Sequence, residues 1–378
     1  MTKQTHKSAR RREPTLGGIL LFLLILVVYV LNQAGVIDLG FLGGEGPATA
    51  VAVPGEDWIQ VYFTQPQAGD GQGAQAGGLD EILAADLGRA ERSIDVAAYD
   101  LDLETVAEAL LAAQGRGVTV RLVTDTDNVD QRAVRRLKEG GVPVVDDGRA
   151  AIMHDKFVVI DGAVVWTGSW NLTESGTYRN DNNAVRLALP ELAANYTAEF
   201  EEMFVDGAFG PESPADTPHP SLRVGGEDGS EPVVVENYFS PEDGVEARLL
   251  ALVEGAQESV RFLIYSFTDD DLGQAMVRQA AAGLVVQGVF EARGAESEYG
   301  EYERLRNARP PADVLTDGNP YAMHHKVLIV DEEIVVLGSY NWTESASESN
   351  DENVLILHDP RVAQLYLAEF ERVYGLAR

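Results

Sequence analysis

The sequence predicts an α/β protein of two related halves, preceded by one N-terminal transmembrane helix. Three observations carry this. The segment "MHDKFVVIDGAVVWTGSWNLTES" at 153–175 returns as "MHHKVLIVDEEIVVLGSYNWTES" at 323–345, every shared letter at one constant offset. Strand-like runs alternate with stretches of helical period in both halves. Near the N-terminus, an uncharged apolar run follows a cluster of basic residues.

In chain order, Lys3, Lys7, Arg10, Arg11 and Arg12 make residues 1–15 a basic flank. "LGGILLFLLILVVYVL" begins at Leu16, and extension through Ile37 reaches the roughly twenty residues that span a bilayer. An uncleaved anchor over 16–37 is expected; a cleaved signal peptide is the rival, with "NQAG" a poor cleavage site. Basic residues stay on the cytoplasmic side, so the expected product is a single-pass cell-membrane protein with an extracytoplasmic body. Residues 38–57, rich in Gly, Ala and Pro, read as a flexible tether.

The first half is assigned to 58–205. It opens with the strand "WIQVYFTQP" and a Gly/Gln loop at 67–78, then places Leu79, Ile82, Leu83, Leu87 and Ala90 on one helical face. "SIDVAAY" and "VTVRLVTD" read as strands around the helix "LETVAEALLAAQ". Residues 206–231 form a Pro- and Gly-rich linker. The second half, 232–378, repeats the order with "VVVENYFSP", "VEARLLALVEGA", "SVRFLIYSF", "DLGQAMVRQAAA" and "LVVQGVFEA". The repeat runs on past the quoted segments, aligning Pro190 with Pro360, Tyr196 with Tyr366 and Phe200 with Phe370. Two long copies suggest a pseudo-two-fold pair, not a solenoid, and such a pair brings equivalent segments together at its interface. Two copies of one motif can then build one site.

Composition narrows the chemistry. There is no cysteine, which excludes disulfides and thiolate metal sites. The net charge of −32 makes a poor surface for gripping nucleic acid by counterion release.

Each copy of the motif reads H-x-K, four residues, D, six residues, then G-S-x-N. The residues are His154, Lys156, Asp161, Gly168, Ser169 and Asn171, then His324, Lys326, Asp331, Gly338, Ser339 and Asn341. On a strand, residues two apart share a face, so each His and Lys point at one ligand. Lysine is scarce: Lys3 and Lys7 lie in the basic flank, Lys138 is isolated, and the other two are Lys156 and Lys326. A compact ammonium at matched positions, beside imidazole, amide and hydroxyl groups, suits a phosphoryl group. Asp161 is followed by Gly162, a turn signal, and a structural role is expected for both aspartates. Trp170 and Tyr340 are read as packing residues, and His6, His219, His325 and His358 are left outside the site.

The paired motifs closely resemble those of the phospholipase D superfamily over roughly 58–376. The resemblance implies an α/β sandwich of two halves with the active site at their interface, neither metal nor cofactor, and a phosphohistidine intermediate on a phosphodiester substrate. It implies a histidine nucleophile and a histidine acid/base, with Lys156, Lys326, Asn171 and Asn341 on the phosphoryl oxygens and Ser169 and Ser339 in support. In related enzymes a glutamate in an N-x-E-N segment orients the histidine of the opposite half. Here "NDEN" supplies Glu352, which would reach His154, while "NDNN" puts Asn182 at the matching place; Asp181 is the nearby acidic substitute, one register off. His154 is then the expected nucleophile and His324 the acid. One chain holds both motifs, so a monomer is expected to suffice. A phospholipid hydrolase is the preferred reading, with a membrane-tethered endonuclease and a phosphatidyltransferase as alternatives.

Overall fold

The computed structural model describes residues 48–66, 76–226 and 231–377. The anchor expected over 16–37, its basic flank and most of the loop at 67–78 lie outside the described residues. Among the described residues, no helix is long and apolar enough to cross a membrane.

Eight strands form the first sheet: β1 (Ala48–Ala52), β2 (Ile59–Thr64), β3 (Ser93–Ala98), β4 (Thr119–Thr124), β5 (Val144–Asp146), β6 (Lys156–Ile160), β7 (Val164–Gly168) and β8 (Asn183–Leu187). Eight more form the second: β9 (Ser221–Val224), β10 (Val233–Ser240), β11 (Ser259–Ile264), β12 (Val285–Phe290), β13 (Asp313–Thr316), β14 (Lys326–Val330), β15 (Ile334–Gly338) and β16 (Glu352–His358). The first sheet runs β1-β2-β8-β7-β6-β3-β4-β5, and the second repeats that order from its far edge as β9-β10-β16-β15-β14-β11-β12-β13. Both sheets are mixed. β3, β4 and β5 are parallel, as are β11, β12 and β13, while the motif strands β6 and β14 pair antiparallel to β3 and β11.

Two edge strands depart from the sequence reading. β1 lies within the stretch read as tether, where the period-two run "ATAVA" pairs with β2; β9 lies within the linker, where "SLRV" pairs with β10. Proline and glycine around these short runs concealed a pairing that only a neighbouring strand reveals.

The motif strands are apolar on both faces because both are covered. Phe157 and Val159 join a central core, Val158 and Ile160 an outer one. Val327 and Ile329 join the same central core, Leu328 and Val330 a second outer one. The central core also holds Tyr196 and Phe200 of the helix Pro190–Glu201 and Tyr366 and Phe370 of the helix Pro360–Leu376, so these two helices fill the layer between the sheets. The helices concerned are α1 (Leu79–Leu87), α2 (Glu104–Gly115), α3 (Pro190–Glu201), α4 (Val245–Gly255), α5 (Asp270–Ala282) and α6 (Pro360–Leu376). α1 and α2 cover the first sheet outside, α4 and α5 the second. The result is a five-layer α/β sandwich of two equivalent halves.

Candidate active site

The loops before β6 and β14 are each stitched to the opposite half. His154 N–H donates to the Asp351 carbonyl at 2.9 Å, and His324 N–H to the Asp181 carbonyl at 2.8 Å. Asp351 and Asp181 donate back to Ile152 and Ala322, closing short parallel bridges, Met153 with Asp351 and Asp181 with Met323. The contacts are reciprocal, as a two-fold pair requires.

This brings the expected residues together. Glu352 Oε2 lies 2.7 Å from His154 Nδ1, across the two halves. On the other side, His324 Nδ1 lies 3.0 Å from Asn182 Oδ1 and 3.0 Å from the Ser169 carbonyl. Both neighbours are acceptors, so Nδ1 carries the hydrogen in each ring. Nε2 is the nitrogen left to react. Lys156 Nζ donates to the His154 carbonyl at 2.6 Å; Lys326 Nζ donates to the His324 carbonyl at 3.0 Å and to His324 Nε2 at 3.2 Å. Asn171 and Asn341 each have a buried side-chain oxygen without a hydrogen-bond partner. Asn171 and Lys156 line one cavity with Tyr99 and Asp100.

Asn182 thus stands in the place of Glu352, as the aligned segments imply. Asp181 does not substitute for it: its carboxylate is bound by Arg372 and Asn319, and its backbone holds the His324 loop.

The serines work inside the protein. Ser339 Oγ donates to Glu352 Oε2 at 2.6 Å and accepts from Asn353 N at 3.0 Å; Ser169 Oγ donates to Asn182 Oδ1 at 3.0 Å and accepts from Asn183 N at 3.1 Å. Fully buried, they fix the groups that hold the histidines and are not offered to phosphoryl oxygens. The preceding glycines make this possible. Gly168 and Gly338 sit at φ of 145° and 150°, where a Cβ would run into the carbonyl oxygens of Asn183 and Asn353.

Asp161 and Asp331 lie at the opposite ends of β6 and β14 from the histidines. Asp161, at φ 55°, accepts from the N–H groups of Glu91, Arg92 and Ser93 at 3.0, 2.6 and 3.0 Å. Asp331, at φ 53°, accepts from those of Gln257, Glu258 and Ser259 at 2.9, 2.8 and 2.9 Å. Asp161→Ala removes these bonds and puts a less tolerant residue at positive φ, so it is expected to cost about 1–3 kcal/mol of stability. Its kcat should stay within about twofold of wild type. Urea unfolding paired with kinetics checks this; a tenfold loss of kcat at unchanged stability would move Asp161 into the site.

Two tyrosines escaped the sequence reading. The Tyr99 ring packs edge-on against His154 at 5.1 Å, with Lys156 Nζ 5.1 Å from its centroid; Tyr265 packs against His324 at 4.7 Å, with Lys326 Nζ 4.6 Å away. Both rings favour the lysine ammonium while shielding the imidazole. Their signal was a Tyr one residue beyond the matched strands β3 and β11. His325, buried behind the site, has its ring nitrogens against Asn183 and Glu369, each at 3.0 Å.

Burial governs the electrostatics. It holds both imidazoles well below the usual histidine range, and the ammonium groups of Lys156 and Lys326 push them further down. Lys156 is itself pushed down to about 8 by burial, opposed by Glu352 and Asp155. Burial lifts Glu352 to about 7 against Lys156 and Ser339. An anion placed between the lysines would relieve this crowding of positive charge.

The family described as "Cardiolipin synthase, PLD-like domain" matches residues 83–204 and 249–374. The human protein named mitochondrial cardiolipin hydrolase is 34% identical over 128 residues, 34% of this chain and 50% of that relative. A Rickettsia prowazekii protein named phospholipase D is 29% identical over 133 residues, 35% of this chain and 64% of that relative. The chain therefore spans one-half to two-thirds of the length of these curated relatives. The crystal structure of phosphatidylserine synthase from Haemophilus influenzae shares the fold, with a TM-score of 0.60 at 13% identity, covering 88% of this chain and 89% of that one. With both halves matched by one family and both motifs on one site, the chain belongs to the phospholipase D superfamily.

Proposed function

We propose that the protein is a phospholipase D-type hydrolase that cleaves phospholipids through a phosphohistidine on His154. The observation that carries this reading is the pair of buried imidazoles, each fixed through Nδ1 and flanked by the two lysines. Lys156, Lys326, Asn171 and Asn341 bind the non-bridging oxygens and stabilise charge as it develops. The anionic diester offsets the repulsion between cations, so His324 gains its proton as substrate binds. His154 Nε2 attacks phosphorus, the bond to the leaving oxygen breaks, and His324 Nε2 donates its proton to that oxygen. Water then gives a proton to His324 as its oxygen attacks, the P–N bond breaks, and His154 is restored. One chain supplies every group, so a monomer is complete.

A lipid substrate is supported by the charge of −32, by the apolar run expected to anchor the chain over 16–37, and by the names of the two relatives. In this reading the body is extracytoplasmic and the anchor holds it against its substrate. The test is incubation of the full chain in EDTA with labelled phospholipid vesicles and with single- and double-stranded DNA. Phospholipid cleavage in EDTA is expected. Cleavage of DNA alone would establish the endonuclease alternative, and activity lost to EDTA but restored by zinc or magnesium would sink the phosphohistidine.

A further inference from the structure

Behind the histidines lies a second layer of contacts between the halves. Next to Glu352, Asn353 Nδ2 donates to Asp155 Oδ1 at 2.8 Å, and Asn353 Oδ1 accepts from Thr167 Oγ1 at 2.6 Å. The repeat makes the same connection with different chemistry. There Asn183 Nδ2 meets His325 Nδ1, the other ring nitrogen lies 3.0 Å from Glu369, and Arg372 binds Glu369 and reaches on to Asp181. Burial would raise Glu369, but Arg372 and His325 outweigh it and hold this carboxyl below the usual range.

The first half has carboxyls in place of both donors. In register, Asp155 stands for His325, Glu199 for Glu369 and Glu202 for Arg372. All three are buried, and Asp155 Oδ2 and Glu202 Oε2 have no hydrogen-bond partner. Burial lifts Glu199 well above the usual carboxylate range, and Asp155 is the charge that lifts it further, followed by Glu242, Glu202 and Asp351. Burial lifts Asp155 to about 7 against the Asn353 hydrogen bond, with Glu352 adding to the rise and Lys156 opposing it. More acids stand around them: Asp243 beside Glu242 after β10, Asp206 beyond α3 and Asp216 from the linker. Arg149 is shared by Asp351 and Asp147, and Arg121 by Asp95 and Glu201 at the end of α3. The Tyr196 phenol, one turn before Glu199, is lifted by burial above its usual range. Two buried carboxyls so placed ionise together only at a large cost, and one proton between them supplies the donor that His325 supplies in the repeat.

We propose that Asp155 and Glu199 hold one proton between them and, through Asn353, serve as positioning residues for the arm of β16 that lays Glu352 against His154. The proton faces Asp155 Oδ2, the oxygen without a partner, and leaves Oδ1 to accept from Asn353. Its loss sets two carboxylates against each other behind Asn353 and adds repulsion on Glu352. The His154 side of the site thereby answers to alkaline pH. The positioning role rests on the reaction proposed at His154; the shared proton does not.

The test compares the full chain with E199Q from about pH 5 to about pH 9, by urea unfolding and by the downfield proton resonance of His154 Nδ1–H, identified through its loss in H154N. A carboxyl raised on folding contributes stability that is complete below the ordinary carboxylate range and is lost as pH climbs through the raised value. The wild-type unfolding constant is therefore expected to rise across this range at least about tenfold more than that of E199Q, whose amide donates to Asp155 at every pH. Glu202, Glu242 and Asp351, also raised by burial, titrate in both proteins and cancel in the comparison. The His154 resonance should fade at alkaline pH in the wild type and persist in E199Q. D155N removes the other carboxyl, keeps an oxygen for Asn353 and should flatten the stability profile as well. Unfolding constants that rise alike, within about twofold, in the wild type and both variants overturn the shared proton. A flattened profile with the same fading of the His154 resonance in the wild type and E199Q overturns the positioning role. Neither readout needs a substrate, so a chain that cleaves no lipid fails the hydrolase reading and leaves both results standing.

Discussion

His154→Asn is expected to lower kcat by about 10⁴-fold or more on every phosphodiester, because in the proposed reaction it removes the atom that bonds to phosphorus. His324→Asn should behave differently. It removes the proton donor for the leaving oxygen and the acceptor for the attacking water, but leaves the attack itself possible. With p-nitrophenyl diesters, whose leaving group needs little protonation, the His324→Asn protein should accumulate a phosphoryl adduct on His154. Acid-quench mass spectrometry reads it directly. The reverse result, an adduct on His324 in the His154→Asn protein, would exchange the two roles.

Glu352→Gln is expected to lower kcat by roughly 10²–10³-fold, less than loss of a triad carboxylate on account of the amide oxygen that remains to accept from Nδ1–H. In the proposed reaction, what is lost is the negative charge that stabilises His154 as it takes the phosphoryl group. The structure contains the control for this claim, since Asn182 already holds His324 with a neutral oxygen. A doubly exchanged protein, Asn182→Glu with Glu352→Gln, moves the carboxylate to the other histidine. Its adduct should then appear on His324. Ser169 and Ser339 are matched in both halves and can support either arrangement. An adduct that stays on His154 in the exchanged protein would show that the carboxylate does not choose the nucleophile.

The parts of this site that sequence made legible are those written twice. Two H-x-K strands and two G-S-x-N turns fix the histidines, lysines and asparagines by period and repetition, and the one mismatched pair, Asn182 against Glu352, exposes the asymmetry. What stayed hidden depends on partners far along the chain. The serine hydroxyls looked available to a ligand until β8 and β16 were seen to use them. Tyr99 and Tyr265 sit in ordinary-looking strand ends, and only the sheet register brings them against residues 55 and 59 positions later. His325 reads as an unmatched histidine because its partner Glu369 lies on α6. β1 and β9 are edge strands whose existence depends on a neighbour that local propensity does not see.

The reciprocal bridges between Met153 and Asp351, and between Asp181 and Met323, bear on the chain while it is being made. A growing polypeptide that has reached only the linker has His154 but neither the Asp351 carbonyl that fixes its loop nor the Glu352 carboxylate that orients its ring. It also lacks the second lysine and the second imidazole. Such a nascent product lacks half of the candidate site, and so does one cut short by damage or proteolysis at the linker. The candidate site is therefore complete only when β16, which carries Glu352, has joined the second sheet and met the His154 loop.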